Sequence, residues 1–314
     1  VSRSAGIDVG GTKALGVVIN DDGQVVQRLK WSTPAGGDAV IDRLAELAGA
    51  LAPYDSLGVG VPGLVTRDGV LRAAPNLVDV VELAVAPRLA ERLGHPVTVQ
   101  NDATCALVAE WRHGVARGVD DVVLVTLGTG IGGGVVAGGQ LQVGANGFAG
   151  ELGHMVVDPA GPLCVCGRRG CWERYASGSA LAQQARRAAR AGRLDAVLRA
   201  VGDVEAIVGE DVQRAASAGD EQAREVVDGF ARWVALGLVN LTNALDPAMF
   251  VLGGGLATAP ALYLGPIQRW LGALLYSPEH RPHPRLAFAH WGEEAGAVGA
   301  ARYAQERAAA AGEG

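Results

Sequence analysis

The sequence twice runs strand, glycine turn, strand: AGIDVGGTKALGVVI at residues 5–19 and VDDVVLVTLGTGIGGGVVAGG at 119–139. In each copy a short apolar run enters the turn, glycines supply its backbone freedom, and a second apolar run leaves it. A repeat of this kind implies two related α/β halves with a cleft between them. The length of 314 residues agrees, since it exceeds the usual size of one domain. Further strands are expected at 22–26, 56–63, 97–102 and 249–257, with helices at 38–52, around 80–93, at 103–113 and over most of 178–244. The expected division is a small domain over 1–102 and a large one over 103–292. A C-terminal helix, 293–306, can pack back onto either domain, the small one included, before an alanine- and glutamate-rich tail.

Composition narrows the class of function. Twenty-seven basic against 33 acidic residues leave a net charge of −6, which argues against a nucleic-acid partner. No apolar run approaches the roughly 18 residues of a membrane span. The opening VSRSAGIDVGG enters a strand directly, without the layout of a signal peptide. With four cysteines, three of them clustered, the pattern reads as metal binding rather than a disulfide framework. A cytoplasmic protein with no membrane partner is expected.

Three glycine loops suit phosphate. The first is Asp8-Val9-Gly10-Gly11-Thr12-Lys13, in which backbone N–H groups can converge on an anion and Thr12 adds a hydroxyl. Asp8, at the strand end, can order a magnesium ion through water. Gly128-Thr129-Gly130-Ile131-Gly132-Gly133-Gly134 offers the same chemistry, and Gly253-Gly254-Gly255 follows an apolar strand. One such loop alone is a hairpin turn; three together, two in similar strand units, read as a nucleotide site. None has the GxxxxGK[ST] pattern or a well-placed GxGxxG, so neither of those modes of nucleotide binding applies.

The segment Cys164-Val165-Cys166-Gly167-Arg168-Arg169-Gly170-Cys171 brings three thiols close, and His154 precedes it by ten positions. Three thiolates and one imidazole make a closed tetrahedral set, the arrangement of structural rather than catalytic zinc. Cys105, in a helical stretch, reads as a small buried residue.

Phosphoryl transfer to a hydroxyl needs a base at the acceptor and exclusion of water. Asp102 follows the apolar run VTVQ in the pair Asn101-Asp102, and two readings stand: a base for the acceptor, or the N-cap of the next helix. Asn76, Glu151 and Glu173 are further candidates, because a sugar takes several carboxylates and amides at once. Glu173 lies two residues beyond Cys171, so a metal there would steady a sugar-binding acid. His154 can serve metal and sugar from its two nitrogens.

The combination resembles the ROK family of sugar kinases and repressors, in the actin-like ATPase superfamily with its two-domain, ribonuclease H-like fold. The motifs are IDVGGTK at 7–13, GVGVPG at 58–63, PN at 75–76, QND at 100–102, LGTGIGGG at 127–134, ELGH at 151–154, CVCGRRGCWE at 164–173 and LGGG at 252–255. They span nearly the whole chain, and within the family it looks most like actinobacterial glucokinases. Val165 stands where many relatives have proline, which leaves zinc ligation intact.

The resemblance implies ATP, with magnesium, in the interdomain cleft. Its phosphates would lie near Gly10, Gly11, Thr12, Lys13, Thr129 and Gly130, and its adenosine near Gly254. It implies sugar contacts from Gly63, Asn76, Asn101, Asp102, Glu151, His154 and Glu173, with Asp102 the base for the 6-hydroxyl, and zinc on His154, Cys164, Cys166 and Cys171. It further implies a homodimer or homotetramer, and a domain closure that shields the γ-phosphate from water. The family's repressors carry an added DNA-binding domain; here Asp8 is reached too soon for a helix-turn-helix, so a kinase is expected. Glucose is the expected acceptor and ATP the donor. Fructose, N-acetylmannosamine and polyphosphate are the competing substrates, and a non-catalytic sugar sensor is the competing class. The pairs Arg168-Arg169 and Arg186-Arg187 read as solvated surface, not as a polyphosphate track.

Overall fold

The structure, a computed structural model, describes residues 2–74, 77 and 79–312. The chain forms two compact units: Val1–Asp120 with Gly134–Gly150 and His290–Gly314, and Asp121–Gly133 with Glu151–Ala289.

In chain order the first unit opens with β1 (Ser4–Val9), β2 (Lys13–Ile19), β3 (Val25–Ser32), α1 (Gly37–Leu51) and β4 (Ser56–Val61). A small antiparallel sheet follows, β5 (Leu64–Val65), β6 (Val70–Ala73) and β7 (Val81–Ala84), then α2 (Val85–Leu93), β8 (Thr98–Asn101) and α3 (Asp102–His113). Residues 81–84, expected to be helical, pair instead with β6, where Leu71 faces Leu83; the apolar alternation of that stretch serves a strand.

The main sheet has the order β3-β2-β1-β4-β8. β1 runs antiparallel to β2 and parallel to β4, and β4 runs parallel to β8. Alternation along the strands gives both faces a core. Ala5, Ile7 and Val9 join Ile41, Leu44 and Leu47 of α1, whereas Leu15, Val17 and Ile19 of β2 join Ala109 of α3.

The second unit begins with β9 (Val122–Leu127) and β10 (Ile131–Ala137), whose residues from Gly134 onward, with β11 (Gln140–Leu141), are grouped with the first unit. Helices α4 (Glu173–Ala176), α5 (Gly178–Arg190), α6 (Asp195–Val201), α7 (Gly209–Ser217) and α8 (Glu221–Leu245) precede β12 (Met249–Gly253), α9 (Pro260–Leu274) and β13 (Arg285–Phe288). β12 lies parallel between β9 and β13, and the run Met249–Leu252 is fully buried, as a two-sided parallel strand requires. Trp172, wholly buried, packs where α8 has Gly237: a Cβ there would come within 1.9 Å of its ring. Its Nε1 donates to the Trp233 carbonyl at 2.8 Å.

The chain re-enters the first unit at His290, and α10 (Ala295–Gly312) lies against β1, β4 and α3. The approach is backbone to backbone. A Cβ at Gly6 would sit 2.0 Å from the Ala297 carbonyl oxygen, and one at Gly58 would sit 1.9 Å from that of Ala300. The buried Glu110 of α3 fastens the re-entry, accepting from the His290 and Trp291 amides at 2.7 and 2.8 Å. Among the described residues, no helix is long and apolar enough to cross a membrane.

Candidate active site

The first unit gathers two carboxylates at the carboxyl ends of the parallel strands β1 and β8, with β4 between them. Asp8 faces Gly60 across β1 and β4, and Val61 of β4 faces Asn101 of β8, immediately before Asp102. Gly60 lies between them: a Cβ there would be 3.5 Å from Asp8 Oδ1 and 3.6 Å from the Asp102 Cα. Gly296, in the first turn of α10, closes over Asp8, with a Cβ position 2.5 Å from its Cγ. Burial, and then the charge of Asp102, push the Asp8 carboxyl up to about 7.

The cap of α3 falls to Asn101, not to Asp102. Asn101 Oδ1 accepts from the Thr104 amide at 3.1 Å, while Asp102 is the first helical residue and its Oδ1 accepts from the Ala103 amide at 2.8 Å. Asn101 Nδ2 also donates to the Gly63 carbonyl at 3.2 Å, so three of the expected sugar residues, Gly63, Asn101 and Asp102, lie together. Gly63 has φ 101°, and a Cβ would fall 2.1 Å from the Ala73 carbonyl oxygen; only glycine fits. Asn76 lies outside the described residues. The loop Gly10, Gly11, Thr12 and Lys13 is exposed at the β1–β2 turn, closed by the Gly10 amide on the Lys13 carbonyl at 2.9 Å.

The second unit gathers the cysteines, the other acids and the remaining glycine loops. His154, Cys164, Cys166 and Cys171 bring their ligand atoms within 4.8 Å of one another. Cys166 and Cys171 sulfurs are 3.5 Å apart, and His154 Nδ1 is 3.8 Å from Cys164 Sγ. Three soft sulfurs and one imidazole, with no fifth donor needed, fit a zinc ion held structurally. Glu173 touches this set directly: Cys164 Sγ donates to its Oε1 at 2.8 Å, and His154 Nδ1 lies 3.8 Å from the same oxygen. The other imidazole nitrogen, Nε2, faces Glu151 at 3.8 Å, so His154 presents one nitrogen to the cysteines and one to an acid. Burial raises the Glu151 carboxyl, with His154 opposing and Glu173 adding. Gly130 leaves room for Glu173, whose Oε2 would be 2.8 Å from a Cβ at that position.

A cavity of about 630 Å³ in the same unit is lined by Gly128 and Thr129 of one glycine loop and Gly255 and Leu256 of the next. Ser179 and Arg186 of α5 and Gln213 of α7 complete it. The N-terminus of α5 is tied to the loop, Gly178 donating to the Gly128 carbonyl at 2.7 Å. Gly254 has φ 81°, and its Cβ position is 2.6 Å from the Leu127 backbone, which sets the two loops side by side.

A profile of the ROK family matches residues 4–307. The chain belongs to the ROK family. The glucokinase of Streptomyces coelicolor is 37% identical to this ROK protein over 308 residues, 96% of this chain and 97% of that one. An N-acetylmannosamine kinase of Escherichia fergusonii is 33% identical over 304 residues, 95% and 97% of the two chains. Among solved structures, a ROK family glucokinase from Streptomyces griseus in complex with glucose and AMPPNP has a TM-score of 0.87 at 36% identity, covering 97% of this chain and 100% of that one. This ROK protein therefore has the α/β, actin-like ATPase fold of the sugar-kinase structures it matches.

Several residues that shape these sites were not site candidates in the sequence. Gly60 and Gly296 read in sequence as a strand glycine and a helix glycine, and only their partners reveal that they make room for Asp8. Gln213 and Arg186 sit on helices far along the chain from the loops they face. Ser177 alone left a signal, as the hydroxyl opening an alanine-rich helix; it caps α5, accepting from the Ala180 amide at 3.1 Å.

Proposed function

We propose that this ROK protein is an ATP-dependent sugar kinase that transfers the γ-phosphoryl group to the 6-hydroxyl of D-glucose, giving glucose 6-phosphate and ADP. The observation that carries the reading is the carboxylate pair Asp8 and Asp102 at two strand ends with a glycine between them. Two adjacent acids, one pushed towards neutrality by burial and by the other's charge, are what a metal-assisted phosphoryl transfer to a hydroxyl uses.

In this reading Asp102 accepts the proton of the sugar hydroxyl. The freed oxygen attacks the γ-phosphorus, and the bond to the β–γ bridging oxygen breaks to release ADP. Asp8 would hold a magnesium ion through water, and the metal would supply charge neutralisation for the transferring group. With the Gly10 amide closing its own turn, the Gly11 amide, the Thr12 hydroxyl and Lys13 would face the phosphates on the first unit; Thr129 and Gly130 would do so on the second, and the 630 Å³ cavity beside Gly254 would take the adenosine. Gly63, Asn76, Asn101, Glu151, His154 and Glu173 bind the sugar. His154, Cys164, Cys166 and Cys171 would hold zinc, which would supply a rigid clamp. Its effect on chemistry is indirect, through the carboxylate of Glu173 that the same cysteine and histidine touch.

Glucose as the acceptor is supported by the identity of 37% to a glucokinase. N-acetylmannosamine is the second reading, supported by the identity of 33% to a kinase for that sugar over nearly the same span. Initial rates of the zinc-loaded protein with magnesium, crossing both sugars, mannose and fructose with ATP and polyphosphate, separate them. The expected result is a kcat/KM for glucose with ATP at least about tenfold above any other pair, a gap of about 1.4 kcal/mol in transition-state binding. Asp102→Asn should lower kcat by about 10²- to 10⁴-fold with sugar still bound; near-normal turnover would remove Asp102 from the mechanism.

A further inference from the structure

A second cavity, of about 250 Å³, opens within the first unit between the Arg67–Gly69 turn, β8 and the last turns of α10, and none of the nucleotide or sugar candidates lines it. Its chemistry is rich in donors. Arg67 is held in place, its Nε and Nη2 donating to the Gly144 carbonyl at 3.0 and 2.6 Å, which leaves Nη1 unengaged among the described residues. Arg307 of α10 makes no hydrogen bond or ion pair among the described residues, and Tyr303 brings a phenol one turn earlier. Gln100 is only 6% exposed; its Oε1 accepts from the Asn101 amide at 2.7 Å, while its Nε2 has no partner among the described residues. Gln100 Nε2 is therefore a donor on the cavity wall that the protein itself leaves uncommitted. Against these donors stands one carboxylate, Asp68, which already accepts from the Thr66 hydroxyl at 2.5 Å.

We propose that this cavity binds a small phosphate-bearing anion, inorganic phosphate or a compact phosphate monoester, through Arg67, Arg307 and Gln100 Nε2. Two guanidinium groups and an amide donor suit the oxygens of such an anion, and the carboxylate of Asp68 suits a hydroxyl of an ester. A volume below the roughly 300–1,000 Å³ of ordinary ligand pockets leaves no room for a nucleotide. The occupant is coupled to the candidate active site through one residue. Gln100 Oε1 holds the Asn101 amide, Asn101 Oδ1 caps α3, and Asn101 Nδ2 holds Gly63, so tightening Gln100 tightens the neighbours of Asp102.

The test is calorimetric titration of the zinc-loaded protein with inorganic phosphate and with glucose 6-phosphate, in saturating sugar and a nonhydrolysable ATP analogue. Saturable binding is expected that survives the analogue and weakens at least about tenfold in Arg307→Ala, as expected for loss of a charge-assisted contact. The tighter of the two probes identifies the source of the phosphate. Gln100→Glu keeps the acceptor for Asn101 but replaces the donor, and should also abolish binding. Binding displaced by the analogue and unchanged in Arg307→Ala would assign the anion to the glycine loops and overturn the proposal, as would no saturable binding by either probe. A second arm rests on Asn101 as a sugar residue: the anion should shift sugar affinity by about fivefold, the lower end of allosteric couplings. If anion binding holds and this shift is absent, the cavity stands and the role of Asn101 fails.

Discussion

Among the carboxylates, Asp8 has an ionisation that the fold moves close to neutrality. Its folded value of about 7 lies above the ordinary 3.8, first through burial and then through the charge of Asp102. Folding therefore takes up a proton between these values. The stabilisation is complete at pH below about 4, declines as pH rises, and is gone above about 7. Asp8→Asn removes that slope. The variant should gain on the order of 2–3 kcal/mol over the parent at pH 8 relative to pH 5, read from urea midpoints in the absence of nucleotide and divalent metal. Equal pH dependence in parent and variant would mean that Asp8 ionises as an ordinary surface carboxylate. The sequence made Asp8 and Asp102 legible as acids at strand ends, because each follows an apolar run. It left their approach illegible, because that depends on Gly60 of an intervening strand and Gly296, nearly the whole chain away. It offered Asp102 as the cap of α3, one residue too late: Asn101 is an equally good capping residue, and the backbone angles give it the role.

One level up, the cysteine knuckle and the glycine loop beside it form one device. Cys164 and His154 approach the same oxygen of Glu173, and the absent side chain of Gly130 leaves space for the other oxygen. The ligand set was readable from spacing, since a tetrahedral site asks for little more than three thiols, an imidazole and glycines that let the loop fold back. The contact with Glu173 was readable only as proximity in sequence. Stripping zinc with a chelator should therefore raise the KM for sugar by about 10- to 100-fold, the usual cost of losing support behind a binding group, while the KM for ATP changes little. Restoring zinc should restore the sugar KM. Equal losses for sugar and nucleotide would show the knuckle to be general scaffolding, without a particular tie to the sugar.

Across the full chain, the two ends of the sequence build one sheet face. β1 opens the first unit, and α10, some 290 residues later, covers β1 and β4 on the side that α1 and α2 leave bare. A final helix was legible as far as residue 306, but the alanine-rich run read as a tail continues it to Gly312. Its seat was not legible, because Gly6 and Gly58 look like ordinary interruptions of apolar strands, and it is the carbonyls of Ala297 and Ala300 that require them. With Val17, Ile19 and Ala109 packed against Ala297, Val298 and Ala301, this face has no core without the helix. A chain ending at Gly292 should therefore lose the first unit and keep the second, whose helices and central strands come from Asp121–Gly133 and Glu151–Ala289. Limited proteolysis should cut the truncated chain throughout residues 2–120 while sparing α8 and β12. Gly58→Ala is the milder version of the experiment. Its added methyl meets a helix carbonyl at 1.9 Å, so strand or helix must move, and a loss on the order of 3 kcal/mol is expected. A variant as stable as the parent would mean that α10 can slide off its seat without cost, and that the small side chains along its inner face are not what fixes it there.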